Sequence, residues 1–168
     1  LYKYTSADNI YGVDPWDQSI QVCKEYRIKA NLAVSDYMPR ELPFDEKFDL
    51  IFAFSVFSHL SFKTTKIVLQ TLRNYINKNG LLVITIRPIE YWDAHNEGKD
   101  KVKMREKHKE MGFAFIPHNL PPIDGDITYG DTSMSLSFIE ENFPEWMIVG
   151  IEHSSVDPYQ IILFLQTN

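Results

Sequence analysis

The chain has 168 residues, 44% of them hydrophobic, which is enough for one globular domain with a sizeable core. Its formal net charge of −6 and sequence pI near 5.3 argue against nucleic acid as the main partner, because a phosphate backbone selects a basic surface. Cys23 is the only cysteine, which excludes an internal disulfide and a cysteine metal cluster and suits a reducing cytoplasm; no run approaches the ~18 apolar residues of a membrane span, and residues 1–10 lack the apolar run of a signal peptide.

The opening LYKYTSADNI reads as the tail of a helix and a short loop, so the expectation is an N-terminally truncated domain, or a chain that begins inside one. Residues 10–13 then form a short strand, Asp14 and Pro15 turn the chain, and Asp17 can cap a helix running through Ile20, Cys23 and Tyr26. Residues 31–34 make the next short strand, ending at Ser35, Asp36 and Tyr37. The nearly continuous apolar run over 48–54 is bounded by polar residues, the pattern of a central strand covered on both faces, and it is expected to be the best-buried element.

Ser61 can cap a helix whose core face carries Val68, Leu69, Leu72 and Ile76, with Asn79 and Gly80 as its left-handed stop. Residues 81–86 are another buried strand. From 87 to 134 the regularity gives way to charged, aromatic and Pro/Gly-rich sequence, far longer than the ~2 to 6 residues of an ordinary connection, and this span reads as an insertion or lid. Inside it the basic run 99–109, diluted by Asp100, Glu106 and the following Glu110, reads as a solvated helix face rather than a binding patch. His108, His118, Asp124 and Asp126 match no compact ligand spacing, so no metal site is expected. Ser137, Phe138, Ile139 and Glu140 form a capping box opening the last helix, and strands over 146–152 and 159–166 follow as an antiparallel pair. Strands alternating with helices predict an α/β fold with a mainly parallel sheet closed by an antiparallel C-terminal strand.

These segments, GVDP (12–15), SDY (35–37), FDLIFAFSVFSHL (48–60) and NGLLVITI (79–86), resemble in order and spacing the motifs of the class I S-adenosylmethionine-dependent methyltransferases. The resemblance runs over nearly the whole chain apart from the insertion. It implies a Rossmann-like three-layer sandwich with sheet order 3-2-1-4-5-7-6, in which the seventh strand is antiparallel, and S-adenosylmethionine as cofactor. The first strand and the Gly-rich loop of that pattern have no counterpart here. Three outcomes follow: the segment belongs to the parent protein and this chain is a fragment, a second copy or partner completes the sheet, or strands two and four close directly into a degenerate site.

Within this frame Asp14, at the carboxyl end of its strand, can accept hydrogen bonds from adjacent ribose hydroxyls; as a plain turn residue before proline it would do nothing more. Pro15 and Trp16 can line an adenine pocket, although Trp16 would serve equally as a core anchor. Asp36 can accept from the adenine amine while Ser35 or Tyr37 amides address the ring, against the alternative of a strand-end turn. The resemblance implies that backbone carbonyls of Phe54 and Ser55 hold the methionine ammonium. His59 is the candidate base for deprotonating an attacking hydroxyl, with packing or helix capping as its other reading. Arg87, Glu90, Tyr91, Trp92 and His95 follow the fifth strand of the pattern and are candidate acceptor contacts, Arg87 for an anionic group and Tyr91 and Trp92 for stacking on a sugar or aromatic ring.

The resulting expectation is methyl transfer to a small-molecule acceptor, with a sugar or polysaccharide precursor suggested by a loose resemblance of the RPIEYW and DPYQ segments to bacterial surface-polysaccharide methyltransferase domains. The rival is a catalytically inactive methyltransferase-like module that works by association. A nicotinamide-dependent oxidoreductase comes third, because the antiparallel ending and the lack of a hydride-transfer constellation disfavour it.

Overall fold

The computed structural model describes residues 1–95 and 98–168, without the side chains at 95, 98 and 99. The chain divides into two compact units, Leu1–Glu46 and Lys47–Asn168. In the first, a 3-10 turn at Ala7–Asn9 leads into β1 (Tyr11–Asp14), α1 (Asp17–Glu25) and β2 (Asn31–Val34). β1 and β2 pair in parallel from Tyr11 opposite Asn31 to Asp14 opposite Val34. Parallel pairing needs a crossover, and α1, with Ile20 buried, supplies it. The helix begins differently from the sequence expectation: Asp17 is its first residue rather than its cap, and the Asp14 carboxylate one turn earlier accepts from the Trp16 amide at 2.8 Å. Asp17 keeps a favourable place near the positive end of the helix dipole.

The second unit runs β3 (Phe48–Ala53), α2 (Phe62–Tyr75), β4 (Ile76–Ile86), α3 (Tyr91–His95), α4 (Gly98–Met111), β5 (Phe113–Pro117), β6 (Gly130–Met134), α5 (Leu136–Asn142), β7 (Trp146–His153) and β8 (Ile161–Thr167). Its main sheet has the order β3-β4-β8-β7, with β3 and β4 parallel and β8 antiparallel to both of its neighbours. This is the C-terminal half of the expected strand order, including its antiparallel strand. Ser61 caps α2 as expected, accepting from the Thr64 amide at 3.1 Å. The far end differs from expectation: α2 stops at Tyr75, its C-cap Ile76 is extended and opens β4, and Asn79 (φ 66°) and Gly80 lie inside that strand, where a Cβ on Gly80 would stand 2.8 Å from Ile76 and 3.0 Å from the Phe48 carbonyl. α5 starts two residues earlier than the capping box suggested, because Ser135, its amide held by the Gly112 carbonyl at 2.7 Å, accepts from the Phe138 amide and takes the cap.

The core of the sheet lies under β4 and β8, where Leu82, Ile84, Ile86, Leu163 and Leu165 are buried. β3 departs from expectation. Leu50, Phe52 and Phe54 are 49%, 56% and 57% exposed, so this is not the best-buried strand. The reason is position, since β3 stands at the end of the order and β4 is its one strand neighbour among the described residues. The span 87–134 is folded throughout its described residues. β5 and β6 form an antiparallel pair, and Tyr91, Trp92, Met104 and Ala114 make a small core of their own. The basic run is indeed a helix, α4, which buries Met104 and His108 and turns most of its charges to solvent.

Candidate active site

In the first unit, parallel pairing puts the carboxyl ends of β1 and β2 side by side, so Asp14 and the Ser35–Asp36–Tyr37 turn share one edge. The Ser35 amide continues the ladder by donating to the Asp14 carbonyl at 3.2 Å. Asp14 Oδ1 is engaged by the Trp16 amide, while Oδ2 has no protein partner among the described residues. Pro15 is half-buried; Trp16, Asp36 and Tyr37 are exposed, so their side chains face a ligand or solvent rather than the core.

In the second unit the loop after β3 carries the candidate groups. Ser55 sits just past the carboxyl end of β3 in the left-handed region (φ 57°), a costly conformation for a non-glycine residue that recurs at ligand sites. Its amide donates to Thr85 Oγ1 at 2.7 Å, and its hydroxyl lies 3.3 Å from Ser58 Oγ and 3.4 Å from Gln160 Nε2. Gln160 is itself buried, and its Oε1 has no partner among the described residues. Residues 58–61 are stitched to the run 128–132. The Thr132 amide donates to the Ser58 carbonyl (2.9 Å), the Gly130 amide to His59 (2.8 Å), the Ser61 amide to Thr128 (3.1 Å) and Thr132 Oγ1 to Leu60 (2.6 Å). Gly130 is required by the pairing of β6 with β5, because a Cβ there would stand 2.1 Å from the Ile116 carbonyl oxygen.

The stitching brings Arg87, His59, Asp131, Tyr91 and His118 together. Arg87 Nη1 donates to Asp131 Oδ1 (2.7 Å) and the Ser58 carbonyl (3.1 Å), Nη2 faces His59 Nε2 (3.0 Å), and the guanidinium lies 4.1 Å over the Tyr91 ring. Tyr91 Oη donates to Asp131 Oδ1 at 2.8 Å, and His118 Nε2 approaches Asp131 Oδ2 at 3.2 Å. The Tyr129 ring stacks on His59 (centroids 4.9 Å, 8° between planes) and meets the His118 ring edge-on at 5.3 Å.

The electrostatics follow from these contacts. Burial alone would raise the Asp131 carboxyl, but hydrogen bonds from Tyr91, His118 and Arg87 and the Arg87 charge outweigh it and hold Asp131 below its ordinary value. Burial, followed by the bond to Asp131, pushes the Tyr91 phenol up to about 12. His59 is lowered by burial first and by the Arg87 charge as well, against the opposing effect of the Gly130 carbonyl. That carbonyl accepts from His59 Nδ1–H at 2.7 Å, so the proton resides on Nδ1 and the Nε2 lone pair accepts from Arg87. In this arrangement neither ring nitrogen is open to a substrate proton, and the geometry makes His59 a brace for the guanidinium.

The other expected acceptor contacts divide. Trp92 is 0% exposed and its indole N–H donates to Ser133 Oγ at 2.7 Å, so stacking on a ligand, the role expected of it, is closed to it by packing. Arg87 and Tyr91 are buried and spend their polar groups on Asp131, so the expected direct contacts with an acceptor are replaced by framework bonds. Glu90 is exposed, and the His95 side chain lies outside the described residues. His108 faces Ser133 Oγ (2.7 Å), and Asp126 accepts from Ser61 Oγ and Thr64 Oγ1 at the start of α2, so both have structural partners. Sequence reasoning missed Asp131, Tyr129 and Ser133. Asp131 and Ser133 are alternate positions of β6, and Tyr129 precedes that strand by one residue, so their spacing of two was the available signal.

Comparison with known proteins agrees with this architecture. A family described as a methyltransferase domain matches residues 1–84. Among solved structures, the chain is similar to an S-adenosylmethionine-dependent methyltransferase from Clostridium acetobutylicum at 13% identity, covering 96% of this chain and 76% of that one with a TM-score of 0.61. It is similar to a protein from Pyrococcus horikoshii at 13% identity, covering 99% and 74% with a TM-score of 0.64. The glycopeptide N-methyltransferase MtfA complexed with sinefungin is similar at 7% identity, covering 95% and 77% with a TM-score of 0.65. No curated protein matches the sequence. Identities this low speak for the fold alone, and the family rests on the sequence match over half of the chain. The chain belongs to the methyltransferase-domain family and has the Rossmann-like fold of the class I enzymes.

Proposed function

We propose that this chain transfers a methyl group from S-adenosylmethionine to a small-molecule acceptor. The observation that carries the reading is the shared edge of β1 and β2, where Asp14 presents an unpartnered Oδ2 beside Asp36 in a chain of this family. The donor set fits the cofactor. A carboxylate at a strand's carboxyl end suits a ribose diol, the exposed Asp36 suits an exocyclic amine with Ser35 and Tyr37 beside it, and Pro15 and Trp16 offer an apolar wall. Within the second unit, taken by itself, the buried Gln160 Oε1 near Ser55, unpartnered among the described residues, and the Phe54 and Ser55 carbonyls are acceptors suited to an ammonium group. The cofactor would supply an electrophilic methyl on a sulfonium, and the protein's task is then orientation and proton removal.

Residues 87–134 act as the wall of the acceptor site within a single methyltransferase domain. Arg87, Tyr91 and Trp92 stiffen that wall, while the exposed Glu90 is the contact left for the acceptor. A sugar or polysaccharide precursor is the acceptor class we favour, and the cytoplasm is the compartment. No helix among the described residues is long and apolar enough to cross a membrane. Calorimetric titration with S-adenosylhomocysteine tests the reading: we expect binding by the chain and a large loss in Asp14→Ala, and no binding by the unsubstituted chain would overturn it. The second reading, an association module, is favoured by the exposure of Leu50 and Phe52 on β3; it predicts self-association without affinity for S-adenosylhomocysteine.

A further inference from the structure

His118 is the one histidine of the cluster whose second ring nitrogen is not consumed by the network. Its side chain is 44% exposed, against 16% for His59. Three contacts orient it. The backbone amide donates to the Tyr129 carbonyl (3.1 Å), the ring meets Tyr129 edge-on, and Nε2 faces Asp131 Oδ2 at 3.2 Å. Asp131 is ionised and accepts hydrogen bonds only, so the proton of neutral His118 lies on Nε2 and the lone pair is on Nδ1. A carboxylate behind one nitrogen fixes the tautomer and stabilises the imidazolium that forms when the other nitrogen takes a proton.

We propose that His118, oriented by Asp131, is the general base of the acceptor site and serves a hydroxyl-bearing acceptor. The inference rests on the methyl-transfer reading above. The acceptor oxygen forms a bond to the methyl carbon as the methyl–sulfur bond breaks with its electron pair left on sulfur, and the hydroxyl proton passes to His118 Nδ1. The exposed face of Tyr129 beside it offers a surface for the acceptor's carbon skeleton. The charged and titratable groups around His118 are Asp131 directly, and His59, Tyr129, Arg87 and Tyr91 behind it. Arg87 acts through Asp131: it neutralises one carboxylate oxygen and leaves the other for His118.

Two-dimensional 1H–15N spectra of the histidine rings test this without a known acceptor. We expect the uncharged His118 ring to be the Nε2–H tautomer, and in Asp131→Asn to shift toward the Nδ1–H form. Diethyl pyrocarbonate gives a second readout, with His118 carbethoxylated several-fold faster than the exposed His153 and slowed to the His153 rate in Asp131→Asn, as followed by peptide mass spectrometry. A His118 proton on Nδ1 in the unsubstituted chain overturns the inference, even if Asp131→Asn fails to fold. An His118 reactivity that ignores Asp131→Asn overturns it too. Titrating the same sample with S-adenosylhomocysteine separates the two failures. Binding with the wrong tautomer removes the base and keeps the methyltransferase reading, and absence of binding removes that reading itself.

Discussion

Two runs of equal apolar content, FDLIFA in β3 and LLVITI over residues 81–86 of β4, meet opposite fates. β4 lies between β3 and β8 and buries Leu82, Ile84 and Ile86, whereas β3, paired on one side only, exposes Leu50 and Phe52. Composition sets what a strand can bury, and its neighbours decide what it does bury. The Ser55 turn and Arg87 follow directly on the carboxyl ends of these two strands, so the hydrogen-bonded groups of this unit stand on one well-covered element and one open one.

The contrast can be broken most forcefully from the β4 side. Leu165→Ala removes a fully buried side chain paired across from Leu82, and should cost about 2 to 5 kcal/mol in urea unfolding. Arg87→Met at the end of β4 leaves Asp131 without its guanidinium. Because Asp131 is partly solvated, a loss of about 1 to 3 kcal/mol is expected, read from the same unfolding curves.

A smaller effect has a pH signature. His59 and His108 both have lowered folded-state values, burial being the first cause for each. Below pH 6.5 the unfolded chain therefore binds more protons than the folded one. Their contribution to stability is complete above pH 6.5 and fades as pH falls toward the lowered folded values. Replacing both with glutamine should flatten that part of the stability curve, and an unchanged slope would refute the assignment. Smallest of all, Phe52→Ser on β3 should shift stability by no more than about 0.5 kcal/mol. Any self-association seen by light scattering should fall with it.

The element order outside residues 87–134, the helix cap at Ser61 and the antiparallel ending were legible because each depends on local pattern or on a short motif, whereas α3 and the β5–β6 pair inside that span were not. The burial of β3 was not, since the run 48–54 carries the same letters whether or not a neighbour covers it. Likewise His59 reads as a reactive imidazole until Gly130, 71 residues away, takes its proton-bearing nitrogen. Trp92 reads as a stacking surface until Ser133 captures its N–H. Side chains whose partners are distant in sequence lose or gain chemistry through contacts that no local window contains.

The same stitching of residues 58–61 to 128–132 has a kinetic consequence. His59 meets Gly130 across 71 positions and Leu60 meets Thr132 across 72, so these bonds form only after a large loop has closed. This stitched region is accordingly expected to assemble after the local α2–β4 segment; the β4–β8 pairing closes loops at least as long, but it lies over a buried apolar core, so the stitching, held by a few hydrogen bonds, should open first. Amide exchange at Gly130 and Thr132 that runs ahead of exchange at Leu82 and Leu165 would be the trace of that order.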